Sequence, residues 1–596
     1  MDFGQNSQKG VHLMIRERDK KQLPLPGFES PFERGLDLNN RWIKLASVIP
    51  WDEFAKAYYS GMSTNRGTPA KPARLMVGAV IIKHRQRWTD EETVLQIQEN
   101  PYLQFFCGFS GFTLEQPFAP SLFVEIRKRM GAAVYEQFEQ SVATKLSGIL
   151  EKRDKRAKQA NHLDRDSSES GDGSSGGKSG IEPTETTEQT GKPNEVAGEA
   201  ETLETTDQLD KSRETVGAEA ERKPSGKLVI DATVAEQAIR YPTDLGLLNE
   251  AREVSERLID RLFPLSDLEK KPRTYRLKAR QEFLALVKKR KPRPNTLRRA
   301  IRQQLQYLRR NLGHIDALLD RVWPSEPTPR DGLSDLNWEW PVGFSHRHLR
   351  QLWVIREVYD QQKHMYDNRL RSHPHRIVSI SQPHVRPIIR GKAGKSVEFG
   401  AKLSASLDDN GLSRVDELRW EAFNESADLS GQVEAFKKRH GHYPAVVLAD
   451  GIYGTRDNRR YCKDKGIRFG GKPLGRPKKE TEANREQLRE AKRQRRRDHL
   501  ERIPIEGKFG QGKNRHGLAK IQAKLAATSE SWIRAIFLVM NLNLLLRFFF
   551  VLNPTRSNTA FVHVLTLVRN WTGFMAKTSD GLYLFLGRRA IAVGAF

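Results

Sequence analysis

Ala445-Val446-Val447-Leu448-Ala449-Asp450 is an unbroken apolar run closed by a carboxylate. A short continuous run rich in β-branched residues suits a strand buried on both faces. A carboxylate at the end of such a strand is costly unless it binds something. Lys227-Leu228-Val229-Ile230-Asp231 has the same form. Around Asp450 the pattern alternates. A helix is expected near residues 432–439 and another over 456–465, followed by the short strand Ile467-Arg468-Phe469. Upstream, Ile377-Val378-Ser379-Ile380, residues 397–407 and residues 418–423 read as extended. Strands first, then helix and strand in alternation, make the region α/β.

Between Asp231 and these strands lies a long helical region. Leu297, Ile301, Leu305, Leu308, Leu312, Ile315, Leu319 and Val322 step by three and four, a helical stripe. Leu349, Leu352, Ile355, Val358, Tyr359 and Tyr366 form a looser one. The Pro-rich stretch 324–341 turns the chain between them, so an antiparallel helix pair is expected. Near the N-terminus, residues 72–88 suit a buried helix. Thr89-Asp90-Glu91-Glu92 is a capping box that opens a second helix, with Val94, Leu95 and Ile97 as its apolar face. A third, from about Pro120, carries Phe123, Ile126, Arg127, Lys128 and Arg129. Short helices ending in a basic one suit either a helix-turn-helix-like DNA reader or an ordinary bundle.

The 596 residues exceed one core, so two to four domains are expected. Residues 164–223 contain no aromatic and only five Leu, Ile or Val, with sixteen acidic against seven basic residues. Such a segment buries too little apolar surface to offset chain entropy and reads as a disordered linker. The boundaries that follow are a helical DNA-binding domain over 1–150, a linker over 151–226, an α/β domain over 227–554 with a basic helical insertion at about 246–372, and a tail over 555–596. The net charge is +27, and the linker holds −9 of it, which leaves +36 elsewhere. An excess of that size calls for a polyanion, first of all nucleic acid. Two cysteines, Cys107 and Cys462, cannot build a disulfide framework or a zinc site of their own. The N-terminus lacks a secretory pattern. The apolar segment 532–552 is interrupted by Arg534 and Arg547 and reads as a buried helix, so no membrane partner is expected.

Asp231 and Asp450 are candidate ligands for hard divalent cations, which prefer carboxylates, water and phosphate oxygens. A two-metal site needs a third anionic group. Glu506 in Arg502-Ile503-Pro504-Ile505-Glu506-Gly507-Lys508-Phe509 is the best candidate, with Arg502 four residues before it and Lys513 seven after. On a helix the three share one face. Gly507, Gly510 and Gly512 are poor helix formers. Either the helix begins later, with Glu506 in its approach, or the glycines admit a DNA backbone.

These residues resemble the prokaryotic DDE transposases of insertion sequences, most closely insertion sequence family five. The segment around Asp231 is similar to that family's first-Asp block, and Val447-Leu448-Ala449-Asp450-Gly451-Ile452-Tyr453-Gly454 to its second. Arg502, Glu506 and Lys513 match the third block of Arg, three residues, Glu, six residues, Lys. Where the family usually has Tyr three before that Arg, this chain has His499. Residues 67–131 and 377–403 also resemble the family. The resemblance implies an RNase H-like catalytic domain with a helical insertion. It also implies Asp231, Asp450 and Glu506 holding two Mg²⁺ or Mn²⁺ ions, with Arg502 and Lys513 contacting phosphates. The implied reaction is in-line attack on a DNA phosphodiester, first by water at the element's end and then by the freed 3′-OH on target DNA. The implied partners are double-stranded DNA, as terminal inverted repeats and target, and a second subunit, because two ends must be paired. The implied setting is the nucleoid of a prokaryotic cytoplasm.

Residues 270–310 hold sixteen Lys or Arg and one acid, Glu282. Lys288, Lys289, Arg290, Arg298 and Arg299 are the densest part and are expected to bind DNA, together with Lys508, Arg495, Arg496 and the loop residue Arg476. Gly391-Lys392-Ala393-Gly394-Lys395-Ser396 evokes a phosphate loop, but Ile389 stands where that motif needs Gly, so no ATP requirement follows. Two other classes remain. One is a non-catalytic DNA-binding protein derived from a transposase. The other is an RNase H-like nuclease, which would cut and never join.

Overall fold

The computed structural model describes residues 35–62, 69–166, 223–322, 344–392, 395–476 and 479–552. Most of the acidic segment, the Pro-rich stretch, the tip of the Gly391–Ser396 turn, Pro477-Lys478 and the tail from 555 lie outside the described residues. Met1–Ile149 and Pro224–Phe596 form one compact unit, and Leu150–Lys223 a second.

The N-terminal region is helical: α1 (Arg41–Val48), α2 (Trp51–Tyr59), α3 (Ala73–Gln86), α4 (Asp90–Glu99), α5 (Pro101–Phe106), α6 (Leu122–Arg129) and α7 (Ala132–Asp166). The Thr89 side chain accepts from the Glu92 amide and caps α4, as its sequence predicts. Val94 and Ile97 are buried, whereas Leu95 is exposed. Arg127 of α6 is also buried, with Nη1 donating to Asp90 Oδ2 at 3.1 Å.

The sheet begins with β1 (Lys227–Glu236). A helical insertion follows: α8 (Asp244–Leu262), α9 (Arg276–Val287), α10 (Pro294–Val322) and α11 (His346–Asp367). The stripe read from sequence lies along α10, whose Leu305, Leu308, Leu312 and Ile315 pack with α8 and α11 in one core. Then come β2 (Arg386–Lys392), β3 (Lys395–Leu407), β4 (Ser413–Arg419), α12 (Leu429–His440), β5 (Val446–Leu448), α13 (Arg456–Asp464), β6 (Arg468–Phe469), α14 (Arg485–Arg515) and α15 (Ala526–Leu552). The strand order is β2-β3-β1-β5-β6, with β4 also on β3. β3 runs antiparallel to β1, β2 and β4, while β5 runs parallel to both β1 and β6. The protein is mixed α/β with a helical N-terminal region.

Two expected strands differ. Residues 377–380 join no sheet, because the Gln361 side chain donates to the Ile377 carbonyl (3.1 Å) and accepts from its amide (2.7 Å). Ile377 and Ile380 pack into the insertion core instead. The strand expected at 418–423 is β4, which starts earlier. Asp408 accepts from the Leu412 amide at 2.9 Å, and Gly411 adopts a left-handed φ of 79°, so the turn closes before Ser413.

α15 is long and apolar enough to cross a membrane by length and composition. Its Ile533, Ile536, Phe537 and Met540 are buried in the core with Val229, Leu403 and Leu448 of the sheet. α15 also receives the N-terminal helices. Lys83, paired with Asp90 at 2.9 Å, and Arg127 lie over the Trp532 ring at 4.7 and 5.0 Å. Arg85 donates to Asn543 at 2.7 Å.

Glu139 of α7 is buried against Arg414 of β4, 3.5 Å away. Burial pushes its carboxyl up from 4.5 to about 7, against the pull of Arg414. Burial also raises Asp416. The folded protein thus keeps a proton on Glu139 that the unfolded chain has already released, and stability falls as pH rises between those two values. We expect wild-type protein to lose up to about 3 kcal/mol from this group over that window. Glu139→Gln should flatten the fall without abolishing it, since Asp416 remains. Urea denaturation across the window checks this, and an unchanged slope would contradict the assignment.

Candidate active site

β1 and β5 pair in parallel, with Val229 beside Leu448. β5 ends at Leu448, two residues before Asp450, whereas β1 runs on through Asp231 to Glu236. Asp231 therefore lies within its strand and not at its end as expected; Asp450 is close enough to raise the Asp231 carboxyl. Asp231 Oδ1 accepts from the Ala232 amide at 2.8 Å, and Asp450 Oδ1 from the Gly451 amide at 2.7 Å. Each keeps its second oxygen for another partner.

Glu506 stands on α14. This helix is continuous through Pro504 and the glycines, so the expectation of a later start is corrected. Packing against the sheet outweighs glycine's poor propensity. Ile505 and Phe509 are buried against Val229, Ala401, Leu403 and Ala405. Gly512 is a close approach, since a Cβ there would stand 3.2 Å from Leu518 Cδ2. Arg468 of β6 forks onto Asp498 (2.8 and 2.9 Å), and Lys227 Nζ lies 3.4 Å from Glu501 Oε2. These contacts fix α14 across the strand ends.

Arg502 lies between the carboxylates. Nη1 is 3.5 Å from Asp231 Oδ2 and Nη2 is 2.5 Å from Glu506 Oε1. The arginine side chain is 15% exposed and that of Asp231 16%, against 50% for Glu506. Burial pushes the Asp231 carboxyl up to about 6; Arg502 opposes the shift, while Asp450 and Glu425 add to it. Glu425, which pairs with Lys402 at 2.8 Å, is thus a fourth carboxylate near the site. It sits in a 3₁₀ turn, Glu425–Asp428, with no motif around it that a sequence reading would notice.

Among the described residues, no three His, Cys, Asp or Glu side chains form a group that could hold a metal as they stand. The donor chemistry nevertheless suits a hard divalent cation, because every candidate is a carboxylate and burial makes the Asp231 charge costly. A guanidinium already lies between two of them.

The expected DNA contacts fall into two groups. Lys288, Lys289, Arg290, Arg299, Arg476 and Arg496 are exposed. The others are engaged or partly covered. Arg298 stacks on Tyr366 (4.2 Å) and donates to its carbonyl. Arg495 donates to Ala491 O of its own helix. Lys513 is half-buried. Burial pushes Lys508 down to about 8, with Arg547 adding to the shift and Asp408 opposing it. A cleft of about 350 Å³ along α14, lined by Gly507, Gly510, Gln511, Asn514, Arg515 and Arg547, includes none of the three carboxylates.

Residues 447–543 match the family model described as Transposase DDE domain, and residues 30–129 the one described as Transposase domain (DUF772). Both matched models describe transposase domains. The first match spans Asp450, Glu506 and Arg502, and the second spans α1 to α6. An uncharacterized protein of Rhizobium meliloti, ORF8 in the nfe locus, is 44% identical over 95 residues, 16% of this chain and 45% of that relative. The chain thus spans under half the length of that curated relative. No solved structure matches the chain.

Ile505 decides where Glu506 stands, being 1% exposed beneath it. We expect Ile505→Ala to destabilise the protein by about 2–4 kcal/mol, the range for emptying a packed site. Urea denaturation measures this, and a loss well under 1 kcal/mol would mean that α14 is held elsewhere.

Proposed function

We propose that this protein is a DDE transposase of the insertion sequence family five group. It binds the ends of an insertion sequence and catalyses metal-dependent strand cleavage and strand transfer. The observation that carries the reading is Arg502, whose two arms lie against Asp231 and Glu506, with Asp450 close enough to raise the Asp231 carboxyl. The spacing of Arg502, Glu506 and Lys513 supports the choice of group. In this reading residues 227–554 are an RNase H-like catalytic domain with the basic insertion at about 246–372, and residues 1–150 a DNA-binding, helix-turn-helix-like domain.

Asp231, Asp450 and Glu506 would hold two divalent ions, Mg²⁺ or Mn²⁺. Such ions, when bound, lower the pKa of an attacking hydroxyl and stabilise the leaving oxygen. The protein's own groups do the rest. The sheet and α14 keep the three carboxylates together. Arg502 and Lys513 orient phosphates, and the exposed cations of the insertion hold the duplex. No covalent intermediate on a Ser or Tyr is needed, and no ATP. The partners are the terminal inverted repeats, target DNA and a second copy of the chain, in a prokaryotic cytoplasm.

The test uses DNA carrying the inverted repeats that flank this coding region, with Mg²⁺. Wild type is expected to nick the ends and join them to target. Asp450→Ala should be slower by about a thousandfold or more, the loss of several kcal/mol of transition-state stabilisation. Equal cutting by both would overturn the site. Cutting without joined product would indicate a nuclease, and binding without cutting a DNA-binding protein.

The basic insertion makes a separate prediction. Lys288, Lys289 and Arg290 lie at the turn after α9, exposed and with no acidic partner among the described residues. Replacing all three by Ala should reduce the slope of log affinity against log salt by roughly 2.7, the release of three phosphate contacts. Fluorescence anisotropy at several salt concentrations reads the slope, and no change would remove these residues from the DNA path.

A further inference from the structure

The proposed ions and the Arg502 guanidinium compete for the same oxygens. One arm reaches Asp231 Oδ2 and the other Glu506 Oε1, at 3.5 and 2.5 Å. The second contact is an i, i+4 pair fixed by α14, whereas the first crosses to β1. We propose that Arg502 is a built-in competitor for the metal. It holds Asp231 and Glu506 together in the ion-free protein and must release at least one of them before a divalent ion takes that carboxylate. The inference rests on the ion site proposed above.

A divalent ion concentrates twice the charge of a guanidinium at one point, so it prevails at sufficient concentration. The exchange leaves an arginine whose planar fork matches a phosphate. Loading the ion would thereby prepare the grip on DNA through one side chain. Lysine would serve poorly here, because a point charge on a flexible stem does not bridge two carboxylates with a rigid fork.

The experiment is calorimetric titration of the full chain with MnCl₂ alone, without DNA. It compares wild type, Arg502→Gln, Arg502→Lys and Asp450→Asn. We expect Arg502→Gln to bind Mn²⁺ about ten-fold more tightly than wild type, Arg502→Lys to fall between, and Asp450→Asn to bind more weakly. If Arg502→Gln binds as wild type does or more weakly, while Asp450→Asn is weakened, the exchange is wrong and the ion site stands. If Mn²⁺ binds none of the proteins, or binds Asp450→Asn as tightly as wild type, the ion site and the exchange both fail. Should circular dichroism find Arg502→Gln unfolded, the lysine variant against wild type carries the same comparison, and equal affinities overturn the proposal.

Discussion

Carboxylates that lie near one another repel, and the surrounding structure works against that repulsion. Asp231 shows the cost directly, since burial with Asp450 and Glu425 nearby holds its carboxyl up at about 6. Arg502 offsets part of it by bridging Asp231 to Glu506. Two charges in a partly desolvated place interact more strongly than the same pair in water, so one guanidinium there matters more than several on the surface. α14 can lie across the strand ends because its own counter-charge comes with Glu506, one turn away.

That helix is held from two directions. From below, Ile505 and Phe509 bury against the sheet. From the far end, the N-terminal region reaches it, with Arg87 donating to Asn514 O at 3.2 Å and His516 packed beside His84 O. Lys83 and Arg127 are spent on Asp90 and the Trp532 ring. The N-terminal helices therefore support the end of the helix that carries Glu506, whatever else they bind. The second unit, Leu150–Lys223, thus falls between two stretches of the first in sequence.

What was legible in the sequence followed periodicity and continuity. The two apolar runs became neighbouring strands, though β1 continues past Asp231 to Glu236 and β5 stops before Asp450, and the stripe from Leu297 became α10, because burying apolar surface governs both. The misreadings share a different cause: a partner remote in sequence. Residues 377–380 look extended, yet the Gln361 amide takes the backbone bonds that a strand would need. Arg127, on the helix read as either a DNA reader or part of a bundle, is buried against Asp90 and over the Trp532 ring, the second of them far off in sequence. Glu425 carries no local pattern at all. Gly507 and Gly510 suggested a break in α14, but each meets open space, and the packing of their neighbours sustains the helix.

The charge of the chain can now be divided by use. A positive excess of +27 gives a long-range field, which draws a polyanion near without orienting it. Cations on the insertion without acidic partners, such as Lys288 and Arg290, suit that task, since they have nothing intramolecular to lose. Arg502 is different: its charge is already engaged, so a phosphate must replace a carboxylate that it holds. In the proposed reading, attraction and positioning thus fall to separate residues. A protein of the same net charge with a free arginine at the site would bind phosphate there before its carboxylates were otherwise compensated, leaving Asp231 and Glu506 to repel each other. Keeping that arginine engaged makes the site's readiness for phosphate depend on what else has neutralised the acids.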